Sequence, residues 1–122
     1  MKIEATEKTP YIELDLGGVL TFKGRSIPED SISFYAPILN WVKEYSINPS
    51  NNTQINIELE YFNTSSSKCL LDVFKAVKPL TDKSEIIVNW HYEDDDEDML
   101  EAGEDYEAIS GLTFKMVKVD SL

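Results

Sequence analysis

TQINIELEYF, residues 53–62, is the stretch that decides the fold. Its apolar side chains Ile55, Ile57, Leu59 and Tyr61 alternate with Asn56, Glu58 and Glu60, the period of a half-buried β-strand. A strand covered by helices on both faces reads as a continuous apolar run. This one does not, so the sheet it joins carries helices on one face and leaves the other to solvent or a partner.

Working outward, the apolar period switches repeatedly between two and 3.6. YIELDL (11–16) and VLTFKG (19–24) alternate around Gly17-Gly18 and read as a β-hairpin. Asp30 or Ser31 caps a helix with Ile32, Tyr35, Leu39 and Val42 on one face, and Pro37 predicts a late start or a kink there. INPSNN (47–52) breaks the chain before the deciding strand. Beyond that strand, Leu70, Val73, Phe74 and Val77 form a helical stripe ending near Pro79. EIIVNWHYE (85–93) is the next strand, with Ile86, Val88, Trp90 and Tyr92 on one side. Met99, Gly103, Tyr106 and Ile109 mark a third helix, and LTFKMVKV (112–119) a final strand. The order β-β-α-β-α-β-α-β predicts one α/β domain over residues 1–122, a mixed sheet of about five strands with helices mainly on one face.

Composition agrees with one globular core: 122 residues, 42% hydrophobic and 11% aromatic. No run is apolar enough to span a membrane and MKIEATEKTPY has no signal-peptide h-region. A lone Cys69 makes no internal disulfide, which points to the cytoplasm and gives the sequons at 51–53 and 63–65 little weight. Net charge is −12, and ten carboxylates fall between Glu93 and Glu107, leaving only −2 for the rest. Such a surface disfavours nucleic acid and anionic lipid and favours protein partners. Glu93, Asp94, Asp95, Asp96, Glu97 and Asp98 form a candidate docking surface. They do not form a calcium loop of the EF-hand type, because no register places Gly at its sixth position. One Cys and one His do not make a zinc site, and the residues call for no metal and no cofactor. Glu58, Glu60 and His91 share the open sheet face and form the candidate catalytic set; at i, i+2 the two carboxylates stand roughly 7 Å apart.

The remaining feature is NTSSSK (63–68), at the C-terminal end of a strand, where α/β proteins tend to place function. Four consecutive hydroxyls, Thr64, Ser65, Ser66 and Ser67, exceed what a helix start needs. One reading is plain capping by Thr64, Ser65 or Ser66, with the others merely small and polar. The other is a phosphorylation switch, because a helix N-terminus tolerates a phosphate that changes the surface charge. A phosphate-binding loop lacks its glycines here.

Strand, Asn-Thr-Ser-Ser, helix resembles the phosphorylation turn of the STAS family of anti-anti-sigma factors. TPYIEL (9–14), GRSIPEDS (24–31) with NWVKEY (40–45), LEYFNTSSSK (59–68) and VNWHYEDDDEDMLEAGEDY (88–106) resemble, in that order, the SiaC family of bacterial regulatory phosphoproteins. The resemblance implies a STAS-like fold and a non-enzymatic signalling protein. It implies phosphorylation of Thr64 by a partner kinase, with Ser65 and Ser66 as alternates, and resetting by a PPM-type phosphatase. It further implies that the dephosphorylated form binds and activates a diguanylate cyclase, acting on cyclic-di-GMP and biofilm behaviour. Asn63, Ser65, Ser66, Ser67 and Lys68 then shape the switch turn and its partner-binding surface. Ordinary STAS domains carry a Gly after the hydroxyls, where this chain has Ser66 and Ser67; that departure bears on a sigma-factor role more than on the switch. The alternatives from the residues alone are a constitutive adaptor docking through an acidic helix over 93–107 and a small enzyme using Glu58, Glu60 and His91.

Overall fold

In a computed structural model describing residues 1–122, a six-stranded mixed sheet carries three helices. The strands are β1 (Lys2–Ile3), β2 (Tyr11–Asp15), β3 (Val19–Ser26), β4 (Asn52–Phe62), β5 (Glu85–Glu93) and β6 (Thr113–Val119). The helices are α1 (Ser31–Tyr45), α2 (Thr64–Val77) and α3 (Glu97–Ser110), and a 3₁₀ segment, Lys78–Asp82, follows α2. Spatial order equals sequence order; β1–β2 and β2–β3 pair antiparallel and the other pairs are parallel. Each crossover therefore steps one strand in the same direction. With the usual right-handed sense, α1, α2 and α3 all land on one face. The sixth strand is β1, too short at two residues to show any alternation.

The inner sheet face is the apolar set expected from the alternation. Ile12, Leu14, Leu20, Phe22, Ile55, Ile57, Leu59, Ile86, Val88 and Trp90 are buried. Glu58, Asn89 and His91 stand half-exposed opposite them. Gly18 closes the β2–β3 turn at φ +103°, and a Cβ there would lie 2.2 Å from the Asn52 carbonyl oxygen. No other residue fits that approach.

Several side chains depart from the sequence expectation. Tyr61 is 51% exposed rather than inward. On β3, Gly24 pairs with Leu59 and Arg25 with Tyr61, so Glu60 is an extra residue, and the bulge reverses the alternation beyond it. Phe62 turns inward instead, its ring edge-on to Trp90 with centroids 6.1 Å apart. On α1 the buried positions are Ser31, Tyr35, Ile38, Val42 and Tyr45, leaving Ile32 exposed and Leu39 half-buried. On α3 they are Met99, Gly103, Tyr106 and Ser110, leaving Ile109 exposed. A stripe drawn through the nearest bulky residue is one position out in each case. Pro37 does not delay α1, which starts directly after Asp30; the Asp30 carboxylate accepts from Ser33 N at 3.2 Å. Pro37 sits on the exposed side, where a carbonyl left without its amide partner meets water.

α3 lies close on the sheet. A Cβ at Gly103 would stand 2.5 Å from Trp90 Cδ1, and Trp90 Nε1 donates to Met99 O at 2.8 Å. No helix is long and apolar enough to cross a membrane.

Candidate functional site

The bulged end of β4 delivers Asn63 to the C-terminal edge of the sheet, where Asn63 N donates to Ser26 O at 3.0 Å. Asn63 is itself the cap of α2: its Oδ1 accepts from Ser66 N at 2.9 Å. Neither Thr64, Ser65 nor Ser66 performs that task, so plain capping does not explain the hydroxyl run.

Three of the four hydroxyls are tied to other parts of the fold. Ser66 is fully buried, and its Oγ donates to Ser26 O at 3.1 Å. That uses its one proton, so the 2.8 Å contact with Ser26 Oγ runs from Ser26 to Ser66. Tyr35 Oη, 2.7 Å from Ser26 Oγ, donates into this relay. Burial pushes the Tyr35 phenol up to about 12. Ser65 Oγ donates to Asn63 Oδ1 at 3.2 Å and meets Ser31 Oγ of α1 at 2.7 Å. Tyr106 Oη donates to Ser67 O at 2.8 Å, so Ser67 Oγ donates back to Tyr106 Oη, also at 2.8 Å. Burial raises the Tyr106 phenol too. The Ser residues thus bind α2 to β3, α1 and α3 in turn.

Thr64 is different. It is the first residue of α2, it is exposed, and its hydroxyl has no hydrogen-bond partner within the chain. It opens on a groove of about 440 Å³ between α2 and α3. The α2 wall is Thr64, Ser67, Lys68 and Leu71; the α3 wall is Ala102, Asp105, Tyr106 and Ile109. The first turn of α2 holds no acid, so the positive end of its dipole and its leading amides are uncompensated by side-chain charge. Lys68, one turn on, makes no ion pair; the chain's two pairs are Lys8–Glu29 and Lys118–Asp94.

The other sequence candidates do not converge. Asp96 caps α3, accepting from Met99 N at 3.0 Å, and Glu97 and Asp98 occupy the first turn. Glu93 is the last residue of β5 and accepts from Leu122 N at 3.1 Å, while Asp94 pairs with Lys118 at 3.4 Å. The acidic stretch is thus a strand end, a turn and a helix start rather than one continuous helix, with Asp94, Asp95, Glu97 and Asp98 exposed. Glu60, at the bulge, lines a second groove of about 310 Å³ with Asp96 and Asp98, away from Glu58 and His91. His91 Nδ1 lies 3.2 Å from the carbonyl oxygens of Ile57 and Asn89, which only accept, so this nitrogen carries the proton. No cavity is lined by Glu58, Glu60 and His91 together. Cys69 is buried, and burial raises its thiol above the ordinary range.

The relay through Tyr35, Ser26 and Ser66 was not anticipated from the sequence. Its one sequence signal is Ser26 itself, a small polar residue at an inward position of β3 after Leu20 and Phe22.

Comparison with known proteins agrees with this fold. SiaC of Pseudomonas aeruginosa, in complex with the diguanylate cyclase SiaD that it activates, matches with a TM-score of 0.89 at 24% identity, over 98% of this chain and 99% of that one. Apo-SiaC from the same organism matches at 0.85 and 25% identity, over 96% and 97%. An uncharacterised protein of Pseudomonas aeruginosa (strain UCBPP-PA14) is 27% identical over 116 residues, 93% of this chain and 92% of its own length. The family model of SiaC family regulatory phosphoproteins matches residues 3–119, nearly the whole chain. The chain belongs to the SiaC family of regulatory phosphoproteins.

Proposed function

We propose that this protein is a non-enzymatic, cytoplasmic binding module switched at Thr64. A partner kinase phosphorylates Thr64, a PPM-type phosphatase resets it, and the dephosphorylated form binds and activates a diguanylate cyclase. The observation that carries the site is the contrast within the hydroxyl run. Ser66 is sealed in the core, Ser65 and Ser67 are engaged, and Thr64 alone is exposed and unbonded. A kinase reaches Thr64 Oγ1 without breaking an internal contact. Phosphate there adds nearly two negative charges beside amides and a lysine that tolerate it, so the fold persists while the surface changes. The cyclase is proposed from the family and from the solved complex of its Pseudomonas relative.

The test is phosphopeptide mapping across residues 61–75 on protein from its native host, followed by binding of that host's diguanylate cyclases to Thr64→Asp and Thr64→Ala. Phosphate on Thr64, with loss of binding in Thr64→Asp and retention in Thr64→Ala, is the expected result. Equal binding by both variants removes the switch. If that binding also weakened steeply with salt, the exposed acids at 94–98 would be the docking surface instead.

A further inference from the structure

The sheet ends in two free edges, and they are unequal. β1 is two residues long, whereas β6 runs for seven without a bulge or a proline, and no strand lies beyond it. Short strands, bulges and prolines are the usual protection of an edge. On a parallel strand, alternate residues turn their amide and carbonyl to the same side. Val119 O accepts from Asp94 N, so the odd positions of β6 face inward and Phe114, Met116 and Lys118 face outward. Phe114 N donates to Glu107 Oε2 at 2.9 Å, a half-buried carboxylate reaching down from α3. No such cover lies on the amides of Met116 and Lys118. The Glu107 contact also fixes how α3 lies. Ala102, Asp105 and Ile109 face α2, so Leu100, Glu104 and Glu107 form the opposite flank, beside the open edge. Leu100 and Met116 are half-buried there, and Glu104 is exposed. Of the two lysines on β6, Lys118 pairs with Asp94, and Lys115 stands on the other face of the sheet.

We propose that β6 accepts a further strand from a partner protein, an extended segment whose helix-side positions are basic and apolar. Its backbone bonds to the outward amides of Met116 and Lys118 and to the carbonyls of Phe114, Met116 and Lys118, while side chains set the specificity. A basic side chain meets Glu104 and Glu107, whose Oε1 has no partner within the chain, and an apolar one covers Leu100 and Met116. Glu107 keeps its bond to Phe114 N throughout, so the edge opens for strand addition without rearrangement. A second copy fits this edge poorly. Two β6 strands joined about a dyad bring the Glu104 and Glu107 flanks of both copies together, and each chain carries a net charge of −12. The charge on α3 thus selects a basic strand over the chain's own. The edge lies on the far flank of α3 from Thr64, and its occupant does not rest on the Thr64 switch.

The experiment titrates the full chain, labelled with nitrogen-15, with a capped peptide in which threonine alternates with lysine and valine. Its twin carries glutamate in place of lysine. The expected result is a saturable shift of the Met116 and Lys118 amide resonances with the basic peptide, slower hydrogen exchange at both, and no response to the acidic twin. Met116→Pro removes one outward amide while leaving the bonds to β5 intact, which an edge strand tolerates. It weakens the basic peptide at least about tenfold, whereas Met116→Leu stays within about twofold. Glu107→Gln keeps an acceptor for Phe114 N but loses the charge, and weakens the peptide by about threefold. Unchanged exchange at Met116 and Lys118 in the wild type overturns the strand addition, whatever the variants do. Equal binding of the two peptides overturns the basic partner. Sedimentation showing a dimer without peptide, lost in Met116→Pro, makes a second copy the occupant and overturns it as well.

Discussion

α2 and α3 begin at the same edge of the sheet, and they begin differently. α3 is capped by Asp96 and carries Glu97 and Asp98 in its first turn. α2 is capped by neutral Asn63 and carries no acid there. The positive end of α3 is answered by its own carboxylates, and the positive end of α2 is left for a negative charge from outside. Their footings differ as well. α3 is fixed through the Trp90–Met99 bond, while α2 stands on the buried hydroxyl relay of Tyr35, Ser26 and Ser66. Hydroxyl number therefore says little about function at such a turn. What matters is which hydroxyl remains after the fold has taken its share.

The comparison breaks most visibly in alkali. The Tyr35 phenol, ordinarily near 10.0, sits at about 12 because burial disfavours the phenolate. A folded-state value above the unfolded one contributes stability that is complete below pH 10 and lost as pH rises through 12, in all roughly 2–3 kcal/mol. Denaturant midpoints measured across that range should fall more steeply in the wild type than in Tyr35→Phe, which has no proton to lose. Parallel slopes would mean that the relay under α2 is not buried as described.

Substitution within the run sharpens the contrast next. Ser66→Ala leaves the Ser26 hydroxyl proton without its acceptor in the core, although Ser26 O keeps its bond from Asn63 N, and should cost about 2 kcal/mol in urea unfolding. Thr64→Ala removes a hydroxyl with no partner and should stay within about 0.5 kcal/mol. Equal costs would erase the distinction on which the site rests.

The smallest effect concerns the helix starts themselves. Thr64→Asp adds the missing acid to α2 and should stabilise the fold by roughly 0.3–1 kcal/mol at low salt, whereas Asp98→Asn should destabilise α3 by a similar amount. Opposite signs that both fade with added salt are the expected reading. Destabilisation by Thr64→Asp would show that an anion is unwelcome at α2.

Much of this molecule was legible before its structure. Strand alternation at 53–59 and 85–90 depends on neighbours two residues away, and it gave the one-sided sheet correctly. It gave Tyr61 incorrectly, because a bulge at Glu60 is a property of two paired strands rather than of one. Ile32 and Ile109 misled for a related reason: bulk marks a helix face only approximately, and the true inward positions were the small Ser31 and Ser110. NTSSSK stood out as excessive, yet the sequence could not say which hydroxyl was surplus. That required Ser26, Ser31 and Tyr106, which lie 40, 34 and 39 residues from their partners in the run.

Gly103 touches nothing in the groove, yet it governs it. The absent methyl group lets α3 settle against the Trp90 indole, and any side chain there meets the ring at 2.5 Å. That single position works as a shim beneath one wall of the groove between α2 and α3. Adding an atom to it lifts the whole ridge of Ala102, Asp105 and Ile109 away from α2, so the width of the groove is set from beneath, by a residue that lines none of it.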